Sequence, residues 1–187
     1  MLENYKNHVE ERLKQGIPPL PLNAEQVSDL VELLKSPPSG EEDYLLDLIT
    51  NRTPAGVDPA AYVKAAFLTA LAKDETSSPL IDKQHATKLL GTMLGGYNVE
   101  SLISLLEDDE VGSLAADGLS KTLLMFNAKH DVIELAKNND NAKRVVESWS
   151  DGEWFTSKPK LPEVIKAIVF RVDGEINTDD LSPAPDA

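Results

Sequence analysis

The stretch DPAAYVKAAFLTALA, residues 58–72, indicates the fold class of this 187-residue chain. Asp58 followed by Pro59 is typical of a helix start, because the aspartate side chain accepts a free backbone N–H and proline suits the first helical position. Apolar residues then recur at helical spacing, at Val63, Ala66, Phe67, Ala70 and Leu71. We therefore expect a helix here.

Similar start signals occur on both sides of this segment, and apolar residues keep helical spacing from residue 2 to about residue 155. Capping residues predict helix starts at Asn23 with Gln26, Ser39 with Glu42, Asp82, Asn98, Asp109, Asp131 and Asn141. Glycine and proline predict helix ends at Gly16, Pro37–Pro38 and Gly95–Gly96. The sequence thus predicts about nine short helices joined by short loops.

Consecutive short helices with tight links form either a globular bundle or stacked helical hairpins. Helix pairs recur about every 30–40 residues, which is compatible with HEAT-like units although no repeat is exact. We therefore expect a mostly α fold over residues 1–158, built as a HEAT-like α-solenoid. Because aromatic residues make up only 5% of the chain, its core is expected to consist of Leu, Val, Ile and Ala.

The pattern changes near residue 158. The segment 158–162 is a proline-containing linker, and the β-branched run 164–172 predicts a strand, followed by a tight turn at Asp173-Gly174. A strand pair this short is not stable alone, so it either packs on the helices or belongs to a sheet completed by further sequence. We favour the second alternative, in which residues 159–187 begin a truncated second domain.

Charge and composition exclude several function classes. A formal net charge of −14 disfavours binding to phosphate backbones, and the few basic positions, including Lys6 and Arg144, are interleaved with acids. The absence of cysteine excludes disulfides, a thiolate nucleophile and a cysteine-bound cluster within these residues. The N-terminus has no apolar signal-peptide core, and no apolar run is long enough to span a membrane, so we expect a cytoplasmic protein.

The polar clusters of the chain do not form a metal-site or phosphate-site pattern. His8, His85 and His130 each stand alone, without a second ligand one helical turn away. The acidic run 108–110 favours a helix start over a calcium loop, because it lacks the glycine and the terminal glutamate of such a loop. The glycines at 91, 95 and 96 indicate close helix packing and a helix end.

Three aromatic residues near loops admit two interpretations each. Trp149 and Trp154 flank Asp151-Gly152 and either anchor the core or pack on a following domain, and we favour the core. Tyr97, next to Asn98, is either buried or faces a partner, and burial is the default expectation.

The tail NTDDLSPA, residues 177–184, resembles the swivel-domain signature of aconitases. Three earlier segments resemble the N-terminal domain of the aconitase B branch: LLDLITNR at 45–52, LLGTMLGGYN at 89–98 and LSKTLLMF at 119–126. The resemblance extends over the whole chain. It implies an aconitase B in which a HEAT-like domain, residues 1–158, precedes the swivel domain.

The family interconverts citrate and isocitrate through cis-aconitate in the tricarboxylic acid cycle, and many members also act on 2-methylisocitrate. The resemblance implies a [4Fe–4S] cluster held by three cysteines that lie downstream of this chain, so these residues alone are expected to be inactive and to hold no metal. Asp179 matches the family aspartate that reaches the active site, whereas Thr178 and Ser182 are expected to shape the loop. Asp180 replaces a histidine common in other aconitases, so that histidine's role does not carry over.

The resemblance also implies partners. These are the remaining aconitase domains, a second copy in a homodimer through the helical domain, citrate and isocitrate in the parent enzyme, and mRNA for some members. The charge of −14 gives no support for RNA binding. From the residues alone, a free-standing α-solenoid adaptor remains the alternative to an enzyme domain.

Overall fold

The computed structural model describes residues 1–94, 96–122, 128–169 and Gly174, and within them the chain is helical, without strands. This confirms the mostly α prediction. The helices of the described residues are α1 (Leu2–Lys14), α2 (Ala24–Lys35), α3 (Glu42–Asn51), α4 (Pro59–Ala72), α5 (Lys83–Gly91), α6 (Val99–Leu105), α7 (Gly112–Lys121), α8 (Lys129–Leu135), α9 (Asp140–Asp151) and α10 (Glu153–Thr156).

Three predicted helix starts are confirmed, each by a side chain that accepts a free backbone N–H. Asn23 and Gln26 form a reciprocal capping box at α2, with hydrogen bonds of 2.9 and 3.0 Å. Asp58 accepts the N–H of Ala60 at 2.7 Å, and Asp82 accepts that of His85 at 2.7 Å. Each cap satisfies a donor that the helix itself cannot.

Four predicted starts are wrong in position. No side chain caps α3, because Gly40 takes a φ of +87° and turns the chain between Ser39 and the helix. Asp108, not Asp109, makes the turn before α7 by accepting two backbone N–H groups, so the helix begins only at Gly112. The other two corrections are small: α8 begins at Lys129, before Asp131, and α9 is capped by Asn139 rather than by Asn141.

Neighbouring helices pack against one another in chain order, from α2 with α3 and α4 through α5 and α7 to α9. The buried side chains are mainly those of Leu, Val, Ile and Ala, as the composition predicts. Tyr5 and Phe67 are the buried aromatics of the described part. Sequential packing is compatible with stacked hairpins, and the HEAT-like repeat remains a prediction.

Helices α5 and α7 cross at a pair of glycines. A Cβ added at Gly91 would lie 3.0 Å from the Cα of Gly118, and one added at Gly118 would lie 2.8 Å from the Cα of Gly91. The interpretation of Gly91 as a site of close helix packing is therefore confirmed.

The strand predicted over 164–172 is not formed in its described part, residues 164–169, which have no regular secondary structure. Ile168 and Val169 are 85% and 88% exposed. A strand is stabilised by pairing, and within the described residues no second strand pairs with this segment. The rest of the predicted strand and Asp173 lie outside the described residues, so the domain boundary near 158 stays a prediction.

None of the helices in the described ranges is both long enough and apolar enough to cross a membrane.

Candidate functional site

The residue predicted to be catalytic, Asp179, lies outside the described residues, as do Thr178, Asp180 and Ser182. The part of the chain that is described contains no group of three or more His, Cys, Asp or Glu residues that could hold a metal ion.

The acidic run at 108–110 lies in the loop before α7, and its Asp108 takes part in an ion pair that connects two loops. Lys83 Nζ lies 3.0 Å from Asp74 and 2.9 Å from Asp108, and so joins the loop after α4 to the loop before α7. The hydrogen bond from Lys83 lowers the pKa of Asp108 below its ordinary value. The run therefore lies in the turn before α7, which begins at Gly112, and not in the first turn of that helix.

Histidines and basic residues are likewise engaged locally. His8 Nε2 accepts the backbone N–H of Leu20 at 3.1 Å. Arg144 pairs with Asp117 at 2.9 Å on an exposed surface. Lys6 likewise pairs with Glu41 at 2.6 Å, so the two basic residues singled out in the sequence each lie beside a carboxylate.

The two tryptophans differ in their surroundings. Trp149 packs against the core, and its Nε1 donates to the carbonyl oxygen of Leu119 at 3.1 Å. Trp154 is half-buried and lies edge-on to Phe155, which is 67% exposed. The preferred core interpretation is confirmed for Trp149.

The most distinctive surface is built where two loops interlock, the α3–α4 loop at 52–58 and the α5–α6 loop at 92–98. The backbone N–H of Leu94 donates to the carbonyl oxygen of Ala55 at 3.0 Å. The hydroxyl of Tyr97 donates to the carbonyl oxygen of Val57 at 3.2 Å. These two contacts fix the loops relative to each other.

Asn98 anchors the second loop from below. Its side chain is fully buried, and its Nδ2 donates to the carbonyl oxygens of Leu90 at 2.8 Å and Met93 at 3.4 Å. The predicted helix start at Asn98 is confirmed in position, since α6 begins at Val99, but the Asn98 side chain does not cap it. The predicted end of α5 at Gly95–Gly96 is wrong, because α5 ends at Gly91. A tertiary hydrogen bond to the end of α5 has taken the place of the local cap.

We expect the Asn98→Ala variant to lose about 1–2 kcal/mol of unfolding free energy, because the two buried hydrogen bonds from Asn98 Nδ2 to the carbonyl oxygens of Leu90 and Met93 are lost. Urea unfolding followed by circular dichroism measures the change. Asn138→Ala, at an exposed position, is the matched control and should change stability little. An Asn98→Ala variant as stable as the control would contradict the anchoring role.

On the two interlocked loops and on the neighbouring helix α4, several apolar side chains are exposed to solvent. We define the α4 face as these residues: Val57, Tyr62, Ala66, Leu94 and Tyr97. Four of them are large and are 60%, 59%, 65% and 38% exposed in the order Val57, Tyr62, Leu94 and Tyr97. The rings of Tyr62 and Tyr97 meet edge to face, with centroids 5.2 Å apart. Burial was the default expectation for Tyr97, and its exposure corrects it.

A cleft of about 400 Å³ adjoins the α4 face. It is lined by the loop 51–58 together with Pro21 and Leu94. Arg52, 3.9 Å from Asp47, brings a cation to its wall. The wall of the cleft also includes Asp58, and the two tyrosines lie on the adjoining α4 face. Tyrosine and arginine are enriched in protein interfaces relative to other surface.

Comparison with known proteins agrees with the resemblance drawn from the sequence. Residues 4–155 match the family model described as the aconitate B N-terminal domain. The chain is 64% identical to aconitate hydratase B of Pseudomonas aeruginosa, 58% to that of Escherichia coli and 48% to that of Helicobacter pylori. Each alignment covers 100% of this chain and 22% of the relative, so the chain spans about a fifth of the length of these relatives.

Proposed function

Since the chain belongs to the family of aconitate hydratase B N-terminal domains, we propose that the whole protein is an aconitate hydratase. Such an enzyme is a lyase that interconverts citrate and isocitrate through cis-aconitate, and dehydration of 2-methylisocitrate is a second reaction of the same type. Identities of 48–64% over the full chain support this assignment.

The iron–sulfur cluster of such an enzyme is not held by this chain. A [4Fe–4S] cluster needs cysteine thiolates as ligands, and the chain has no cysteine. We therefore assign the cluster to the part of the protein beyond this chain. The described residues neither carry it nor perform its chemistry.

We propose that the helical domain contributes protein contacts instead. The observation that supports this role is the α4 face, where rigid apolar side chains stand exposed on an acidic protein. Contact with the other aconitase domains and homodimer formation are both within this role. Protein is favoured over RNA as the ligand, because a net charge of −14 repels phosphate.

We also propose that Asp179 keeps the role of the family aspartate. The segment 177–184 matches the swivel-domain signature around it. A carboxylate at this position can accept a hydrogen bond from the reacting hydroxyl or water and orient it. Asp180 offers no imidazole, so proton transfer by a histidine at that position is not part of the proposal.

The division of labour is tested by assaying cis-aconitate formation from citrate after iron–sulfur reconstitution. The whole protein is expected to turn over citrate, and the chain of residues 1–187 is expected to show none, because it has no cluster ligands. Turnover by the isolated chain would overturn the division of labour. Failure of the intact, cluster-loaded protein to form cis-aconitate would overturn the assignment as an aconitase.

A further inference from the structure

Helix α4 is apolar around its whole circumference, yet one of its sides faces solvent. Its single charged residue, Lys64, is buried at 1% exposure, whereas Tyr62 and Ala66 are exposed. A helix that is apolar all round is normally buried on every side. The sequence of α4 therefore matches a more enclosed environment than this chain provides.

Charge is also depleted in the two loops that border the first turns of α4, whereas Glu32 and Lys35 lie on the surface beside Ala66. The chain is 27% charged residues, but the segments 53–57 and 92–99 that border α4 contain none. Asp58 uses its carboxylate to cap the helix. Depletion of charge with enrichment of tyrosine distinguishes the centre of a protein interface from ordinary surface.

The exposed aromatics are held in place before any partner arrives. Tyr97 is fixed by its hydrogen bond to Val57 and by the buried Asn98 that follows it. Tyr62 stands on a regular helix and meets Tyr97 edge to face. Rigid tyrosines lose little conformational entropy on binding, which is the property of an interface anchor.

We infer that the α4 face is the docking surface for a later domain of the same polypeptide. This inference rests on the proposed function, because it names the partner and the place of the proposed protein contact. The relatives that match the chain over its full length extend far beyond it, since it covers 22% of them. The exposed segment 157–169 leads from the helices toward that remaining sequence.

The size and charge of the α4 face favour a tethered domain over a free partner. A stable complex between separate proteins involves about 20 or more residues on each side, and the α4 face has far fewer. A tether supplies an effective concentration in the millimolar range, so a small surface is sufficient. A second copy would bring another −14 charge toward the first and lacks the tether.

Oxidative footprinting of Tyr62 and Tyr97 in the whole protein tests the inference. Both side chains should be oxidised several-fold more slowly in the wild type than in the Ala66→Glu and Leu94→Lys variants, which place a charge on the docking surface. Both substituted residues are exposed, and two variants guard against a folding defect in one. Asn7→Glu, an added negative charge at an exposed position of α1, is the matched control and should keep the wild-type protection.

Equal oxidation in the wild type and both variants would overturn the inference. Protection that disappears on dilution would also overturn it, since that result identifies a second copy as the occupant. Aconitase activity measured on the same samples separates the two proposals. If the wild-type protein is active but Tyr62 and Tyr97 are oxidised as fast as in the two variants, only the docking surface is refuted. If both tyrosines are protected but the protein is inactive, only the assigned enzyme activity is refuted.

Discussion

Replacing Gly118 with alanine is expected to lower the unfolding free energy of the chain by about 3 kcal/mol, the upper end of the range for overpacked cores. The new Cβ would lie 2.8 Å from the Cα of Gly91 and 3.3 Å from a methyl carbon of Leu102. The first of these atoms is backbone, so relief requires α5 and α7 to move apart. Alanine favours helix over glycine by up to about 1 kcal/mol, which offsets only part of this cost.

Urea unfolding of the wild type and matched glycine variants measures the effect. Gly91→Ala places its Cβ 3.0 Å from the Cα of Gly118 and should cost less than Gly118→Ala. Gly56→Ala is the control, because a Cβ there meets no atom within 4 Å, and it should be nearly neutral. If Gly118→Ala is as stable as Gly56→Ala, the crossing is not as closely packed as the distances indicate.

The parts of the fold that the sequence predicted well are those fixed by local chemistry. Asn23, Asp58 and Asp82 each act on a backbone N–H two or three residues away, so the signal and its effect lie in one short segment. Asn98 carries the same kind of signal but bonds to Leu90, eight residues back on another helix. Only the tertiary arrangement decides between those two partners.

The predicted strand at 164–172 also shows that a local sequence signal depends on its tertiary partners. Its β-branched composition is a preference for a pleated, half-buried surface, and that preference is realised only when a partner strand is present. In the described residues 164–169 no strand pairs with this segment, and it is exposed and without regular secondary structure. Composition therefore identified a change of structure near residue 158 but not the structure that follows.

The α4 face could be predicted only in part from the sequence. The segments 45–52 and 89–98 were singled out by resemblance, and both end at the interlocked loops. Their contact, between Leu94 and Ala55, joins residues almost forty positions apart and has no sequence signal. The charge-free runs that border α4 are visible in the sequence, and they were the signal that could have identified the surface.

Lys64 was missed as a core residue, although its spacing from Ala61 and Leu68 places it on the inner stripe of α4. Its side chain is 1% exposed, and burial lowers its pKa from 10.5 to about 8. At neutral pH the lysine is charged in both the folded and the unfolded state. The folded state therefore bears the cost of a buried ammonium group.

The pKa shift fixes the sign of the pH dependence. Between about pH 8 and pH 10.5 the unfolded chain keeps the Lys64 proton while the folded chain has lost it, so stability rises with pH in this interval. Burial raises the pKa of Tyr5 and of Tyr44, and these groups reduce stability above pH 10. The Lys64 contribution is best isolated as a difference between variants below that pH.

We expect Lys64→Met to raise the unfolding free energy at neutral pH by up to about 3 kcal/mol, since each pKa unit corresponds to about 1.4 kcal/mol and methionine fills a similar volume. Urea unfolding at about pH 7 and about pH 9.5 should show the advantage of the variant shrinking at the higher pH, as the wild-type lysine becomes neutral. Lys73→Met, at an exposed position just after α4, is the control and should change stability little at either pH. A Lys64→Met variant that is less stable than the wild type at neutral pH would show that the ammonium group stabilises the folded chain. An advantage that does not change between the two pH values would show that it does not arise from the charge of Lys64.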